Sequence, residues 1–179
     1  TSENLIALLT PILKSFATDK ALEITNNALQ IYGGHGYITD HGMEQLVRDA
    51  RILPIYEGTN GIQALDLIGR KFNIHEGQII NQYLSEIEEF LISINDDQNM
   101  IKFIKLFKPS FIDLKDCVDF IKEIDIKNTK EINSHAMDFL NIFALVAVGY
   151  TWLQFIKISQ DKIKEKADIF YLSKIQLGE

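Results

Sequence analysis

Residues 28–71 read ALQIYGGHGYITDHGMEQLVRDARILPIYEGTNGIQALDLIGRK. A helix opening at Thr10 as N-cap, with Pro11 in its first turn, is expected to run to about Tyr32. Gly33 and Gly34 then stop it, supplying a C-cap and a turn. HGYITDHG reads as loop, MEQLVRDARI as a short helix and LPIYEGTNG (53–61) as a second turn. Helix resumes at about Ile62, with Ile62, Leu65, Ile68 and Phe72 on one face. No stretch alternates with period two for long enough to make a strand, so the expected fold is all-α.

Outward from this stretch the vocabulary changes. All three arginines precede residue 71, and eight of the ten glycines lie between Gly33 and Gly77. The first 71 residues carry net charge −2 and the remainder −5. NIHEGQ (73–78) reads as the linker, dividing residues 1–72 from a second domain over 76–179. In that second part Ile79, Ile80, Tyr83, Leu84, Ile87, Phe90, Leu91 and Ile94 recur at helical spacing. Leu114, Val118, Ile121 and Ile124 repeat the pattern in a shorter piece. Helices from about Ile132 to Ser159 and from Asp161 to Leu177 complete a bundle of about four.

The chain has 179 residues and 46% hydrophobic side chains, enough for a real core. A net charge of −7 excludes a basic footprint for nucleic acid or anionic membrane. The apolar run IFALVAVGYTWL (142–153) would rise about 18 Å as a helix, short of a bilayer core, and reads as a buried bundle helix, not a membrane span. The single cysteine, Cys117, beside Val118 and Ile121, reads as a small core residue in a reducing compartment. No signal peptide is visible. The opening on Thr1 and the abrupt entry into SENLIALL suggest a segment of a longer polypeptide. No metal-ligand spacing such as HxxxH or CxxC occurs, and no nucleophile elbow.

Two constellations carry possible chemistry. Glu57 follows ILPIY and precedes Gly58, whose backbone permits close approach of a ligand. A carboxylate held among apolar groups becomes a base near neutral pH, because lost solvation disfavours its charged form. Thr59 and Asn60 add hydrogen-bonding groups before a helix start. The plainer reading, a carboxylate in the first turn of a helix favoured by its dipole, stands beside this and is ahead on composition alone. QIYGGHGY could present backbone N–H groups to a phosphate, or be only a helix stop and a tight turn. It is not GxGxxG, and no strand precedes it.

Taken together, the order QxxGGxGY, RDA and YEGTN closely resembles the C-terminal helical domain of the acyl-CoA dehydrogenases over roughly residues 5 to 71. The form YEGTNGIQALDLIGRK followed by further helices resembles the large bacterial members. These include 3-methylmercaptopropionyl-CoA dehydrogenases, whose extra C-terminal domain residues 76–179 match more loosely. The resemblance implies FAD as cofactor and Glu57 as the catalytic base. It would take the proton next to a thioester carbonyl while the flavin takes a hydride from the next carbon, leaving a trans double bond. It also implies that the Glu57 backbone N–H helps stabilise the enolate oxygen.

By the same resemblance Gln30 and Gly34 contact the FAD of a partner subunit, and Thr59 contacts the flavin nucleotide of its own. Many relatives carry Gln or Glu where this chain has Gly61, and Asn60 is the residue that would compensate. Tyr56 and Gly58 match the acyl end of the substrate pocket. Arg48 and Asp49 match RDA and read as a helix pair anchoring the turn before Glu57, whereas His35 and His41 take no role. The implied partners are an acyl-CoA substrate, an electron-transferring flavoprotein and a second copy in a homodimer, in a bacterial cytoplasm. The polypeptide taken alone is expected to bind FAD weakly or not at all and to be inactive. The alternative is a non-catalytic helical module whose business is assembly.

Overall fold

The computed structural model describes residues 2–123, 133–165 and 169–178. Among them every regular element is helical and no strand occurs, as the apolar spacing predicts. The described residues divide into two compact units: 2–79 with 133–141, and 80–123 with 142–165 and 169–178.

The first unit is built on α1 (Ser2–Tyr32), followed by the single turn α2 (Gly34–Tyr37), α3 (Met43–Arg51) and α4 (Asn60–Asp66). Helix α1 packs against both α3 and α4. It begins eight residues before the expected cap: Thr10 lies inside it, its hydroxyl donating to the Ile6 carbonyl at 2.6 Å, and Pro11 is interior. An interior proline costs about 3 kcal/mol through its missing N–H. Burial of Leu8, Pro11 and Ile12 offsets that cost. The resumed helix also differs from expectation. It starts at Asn60, capped by Thr59, whose hydroxyl accepts from Ile62 N at 3.3 Å. Its buried face is Asn60, Ala64, Leu67 and Ile68, while Ile62 is 55% exposed. A wider turn over Leu67–Lys71, closed by Phe72 N on the Leu67 carbonyl at 2.7 Å, carries Phe72 inward against Phe139, ring centroids 5.9 Å apart.

The NIHEGQ segment breaks the helix by backbone conformation. His75, Glu76 and Gly77 all take positive φ (50°, 57° and 78°), which no right-handed helix tolerates, and α5 starts afresh at Gln78.

The second unit comprises α5 (Gln78–Ser93), α6 (Ile101–Glu123), α7 (Ala136–Glu165) from residue 142 onward, and α8 (Ile169–Leu177). Of the expected stripe, Ile79, Ile80, Tyr83, Leu84 and Ile87 on α5 and Ile94 just past its end are buried, whereas Phe90 and Leu91 are half-buried. Helix α6 is longer than the piece expected from Leu114. It runs through Pro109 because Phe103, Ile104, Phe107 and Phe111 are buried as well as Leu114, Val118 and Ile121. Ile124 and Ile132, expected at a helix end and a helix start, lie outside the described residues. Cys117 is half-buried, and burial pushes its thiol up, with Asp113 and Asp116 adding to the effect.

Helix α7 corrects the length argument for the apolar run. It has 30 residues, continues through Ser159 without the expected break and is long and apolar enough, by length and composition, to cross a membrane. One face of it is packed within the chain: Phe143, Ala144, Val146, Tyr150, Leu153 and Ile156 are buried, while Leu145, Phe155 and Ile158 are exposed. Tyr83 lies 5.8 Å from Phe143 and 6.1 Å from Tyr150, between ring centroids. The Tyr150 hydroxyl donates to Glu86 Oε1 at 3.2 Å; burial and the Glu86 charge push its pKa up to about 12. Gly149 sits where a Cβ would come within 2.9 Å of the Phe107 ring, so a side chain there would have to displace that ring.

One ion network ties α7 to the segment before α6. Lys157 Nζ donates to Asp97 Oδ2 and to Asp161 Oδ1, each at 3.0 Å, and Asp97 also accepts from Asn99 N at 3.0 Å. Hydrogen bonds from Lys157 hold both carboxyls below their usual range, and those to Asp161 and Asp97 hold the ammonium above its own. Groups with depressed acid pKa values stabilise the fold above the ordinary carboxylate range and lose that contribution as pH falls through their folded values; the ammonium's share is lost only at strongly alkaline pH. Lys157→Met is therefore expected to lower the unfolding free energy at neutral pH by at most about 1 kcal/mol, after solvent screening. Thermal unfolding at a series of pH values should show that difference closing below the usual carboxylate range. A gap that stays constant down to strongly acid pH would show that packing, not charge, is lost.

Candidate functional site

The YEGTN turn is fixed by bonds reaching far along the chain. Glu57 has φ 54° and Gly58 φ 84°, two successive left-handed residues of which the first is not a glycine. The Glu57 carbonyl accepts from Gln63 Nε2 at 2.9 Å. The Gly58 carbonyl accepts from Lys14 Nζ at 2.8 Å, and the same ammonium donates to Asn60 Oδ1 at 2.8 Å. Asn60 is 7% exposed. Its amide nitrogen faces Asp19 Oδ1 at 2.7 Å, Thr18 Oγ1 at 3.0 Å and the Ser15 carbonyl at 3.3 Å. Asn60 N closes the loop on the Pro54 carbonyl at 3.1 Å.

With its carbonyls turned to these donors, the loop presents its side chains outward. Glu57 is exposed, as are Ile52, Ile55 and Tyr56 at 51%, 46% and 47%. The expectation that ILPIY buries the carboxylate is therefore not met within this chain. Gly58 is half-buried, and a Cβ there would lie 3.3 Å from Gln63 Nε2, the donor on the neighbouring carbonyl. Arg48 and Asp49 do not anchor the turn. Arg48 pairs with Glu44 at 2.9 Å and with Gln45 at 2.6 Å, and Gln45 with Asp49 at 2.6 Å, all within α3.

The second constellation is a helix terminus. Gly33, at φ 59°, donates to the Gln30 carbonyl at 3.0 Å, and Gly36 to the Gly33 carbonyl at 3.0 Å. A Cβ on Gly36 would lie 2.7 Å from the Leu29 carbonyl oxygen, so that position requires glycine. His35 and His41 meet edge to face, centroids 5.4 Å apart. Gln30 is exposed, and nothing lies within 4 Å of a Cβ built on Gly34. Lys14, at the level of the Glu57 turn, is 16 positions from Gln30 on α1, about 24 Å along the axis. The structure thus brings Glu57, Gly58, Thr59 and Asn60 together and sets Gln30 and Gly34 apart from them.

A flavin nucleotide needs donors for phosphate and ribityl oxygens and backbone that it can approach closely. Gln30 offers an exposed amide, Gly34 an unobstructed backbone, and Thr59 an O–H proton left over from its capping role. Thr59 at the turn, and Gln30 with Gly34 as a separate patch, each offer chemistry that such a ligand can use. Sequence reading missed Lys14, Thr18, Asp19 and Gln63. The signal available was the run of polar residues at 14, 15, 18 and 19 flanking the buried positions Leu8, Pro11 and Ile12.

An all-helical unit with a glutamate on a glycine turn and a double-glycine helix stop elsewhere on it is what one known family model describes. Residues 3–72 match the family model "Acyl-CoA dehydrogenase, C-terminal domain", and residues 83–179 match "Acetyl-CoA dehydrogenase C-terminal like". The chain belongs to the acyl-CoA dehydrogenase family. It is 50% identical over 70 residues to 3-methylmercaptopropionyl-CoA dehydrogenase of Ruegeria pomeroyi, covering 39% of this chain and 12% of that protein. It is 26% identical over 167 residues to butyryl-CoA dehydrogenase of Syntrophomonas wolfei, covering 93% of this chain and 27% of that one. A solved structure described as "Bd2924 apo-form" superposes with TM-score 0.59 at 26% identity, over 83% of this chain and 26% of its own. The chain thus spans about a quarter or less of the length of these relatives.

Proposed function

We propose that this chain supplies the base of an FAD-dependent acyl-CoA dehydrogenase, with Glu57 removing the α-proton of an acyl-CoA thioester. The observation that carries this reading is the Glu57–Gly58 turn. An exposed carboxylate sits on left-handed backbone whose two carbonyls are each held by a side chain. Strain kept in place by surrounding bonds marks a position where geometry is used.

In the proposed reaction the α C–H bond breaks toward a Glu57 carboxylate oxygen, which takes the proton. The β C–H electron pair leaves as hydride, and the trans-2-enoyl double bond forms. FAD, when bound, supplies the hydride acceptor. The Glu57 N–H donates to the thioester oxygen as negative charge develops there, lowering the barrier for a base as weak as a carboxylate. Substrate and the remainder of the enzyme would cover the exposed Glu57 side chain and exclude water, and the desolvated carboxylate would be the stronger base. Tyr56 and Gly58 would line the acyl end, Thr59 would contact the flavin of its own subunit, and Gln30 and Gly34 would contact that of a partner subunit. Asn60, its side chain engaged with α1, would serve mainly as the anchor of the loop. Removing the Glu57 carboxylate while keeping its shape, in the full-length enzyme, tests the assignment.

Most of the flavin's contacts are expected to come from the remainder of the enzyme, because this chain spans about a quarter or less of the length of its relatives. Purified alone, it is expected to show no flavin absorbance and no turnover; visible flavin bands stoichiometric with protein would overturn that. Family resemblance supplies an electron-transferring flavoprotein as the expected acceptor and a cytoplasmic setting. For residues 76–179 we propose a role in assembly, supported by exposed Ile92, Leu106, Leu145, Phe155 and Ile158. Sedimentation of the full-length protein is expected to give a dimer, and a tetramer would refute the proposal.

A further inference from the structure

The turn that carries the carboxylate is keyed to a residue 43 positions earlier in the sequence. We propose that Lys14 is a positioning residue for Glu57, an inference that rests on the base assignment above.

A non-glycine residue at positive φ is disfavoured because its Cβ crowds the neighbouring carbonyl. Left to local preference, Glu57 would relax toward the ordinary helical or extended values. The φ angle turns the Cβ relative to the residue's own N–H. At Glu57 one backbone angle therefore aims both the carboxylate and the amide proposed to meet the thioester oxygen. Relaxing from 54° to an ordinary −60° would swing one against the other by roughly 110°.

Lys14 opposes that relaxation. Its ammonium spans two acceptors of the loop, the Gly58 carbonyl and Asn60 Oδ1, each at 2.8 Å, and charge-assisted bonds of this length are strong and directional. Asn60 passes the constraint on to Asp19 and Thr18, both on the same helix as Lys14. Gln63 holds the Glu57 carbonyl from the other side at 2.9 Å. The loop is thereby referenced to a helix of 31 residues instead of to its own flexible neighbours. The ammonium itself need not touch substrate or flavin to act in this way.

The test is made in the full-length enzyme with Lys14→Met, which keeps the stem and removes the donors. The rate constant for flavin reduction by an acyl-CoA is expected to fall at least tenfold, with KM and FAD content unchanged within twofold. Lys14→Arg should recover most of the loss. Amide hydrogen exchange at Asn60, whose N–H closes the loop on the Pro54 carbonyl, should rise in Lys14→Met. Asn60→Ala, which removes the other half of the clamp, should give the same split between rate and KM, and decides the matter should Lys14→Met not fold. A Lys14→Met rate within twofold of the parent overturns the proposal and leaves the base assignment standing. Normal turnover in Glu57→Gln overturns both. Loss of FAD or a rise in KM in proportion to the lost rate would mark a merely structural role and overturns the proposal as well.

Discussion

Glu57→Gln in the full-length enzyme is expected to slow flavin reduction by an acyl-CoA about 10²- to 10⁴-fold, the range that a positioned general base contributes. The substitution changes one thing. Glutamine matches glutamate in size but does not accept a proton at working pH, so the α C–H bond has nowhere to send its proton. The clamp survives, because Gln63 and Lys14 bind the backbone carbonyls of residues 57 and 58 and not the carboxylate. The amide N–H of residue 57 survives as well. Bound FAD and substrate affinity should therefore stay near the parent's, and the loss should appear in the rate constant alone. Stopped-flow bleaching of the flavin band on mixing with substrate measures it. A Glu57→Gln enzyme that bleaches at the parent rate would take the base role away from this residue.

Phe143→Ala is expected to cost the second unit about 3–5 kcal/mol, the range for emptying a fully packed aromatic site. The side chain has no exposed surface, and its ring meets Tyr83 at 5.8 Å. Its neighbours along α7, Leu140, Ala144 and Val146, are fully buried too, so little is free to move into the gap. Denaturant unfolding followed by helical circular dichroism measures the loss. Phe155→Ala, one helical face away and 50% exposed, should cost far less and serves as the control. Equal effects at the two positions would mean that burial does not order the contributions along α7.

Much of the fold was legible because its causes are local. Apolar residues at helical spacing identify α5 from Ile80 to Ile87, and Gly33 ends α1 where two adjacent glycines permit it. The errors share a cause. Thr10–Pro11 has the form of a helix start, and the region before Leu114 contains Pro109, yet α1 and α6 run through both prolines. Burial supplied by other elements exceeded a local cost of a few kcal/mol, and that burial is not written in a window of ten residues. The Ile62–Leu65 face failed for a related reason: the wider turn at Leu67–Lys71 and the docking of Asn60 onto α1 decide which side of α4 faces inward.

By itself the sequence determined that the chain is helical, where its glycine stops fall, and that a glutamate stands on a glycine turn in an order of motifs particular to one enzyme family. Only the tertiary structure decided how that glutamate is held. A left-handed glutamate is locally unfavourable, so no reading of neighbouring residues would assign it. It exists because Lys14 reaches the Gly58 carbonyl across 44 positions and Asn60 reaches Asp19 across 41. Side chains that far apart meet only once the helices have packed, and their meeting fixes an angle that the local chain would not choose.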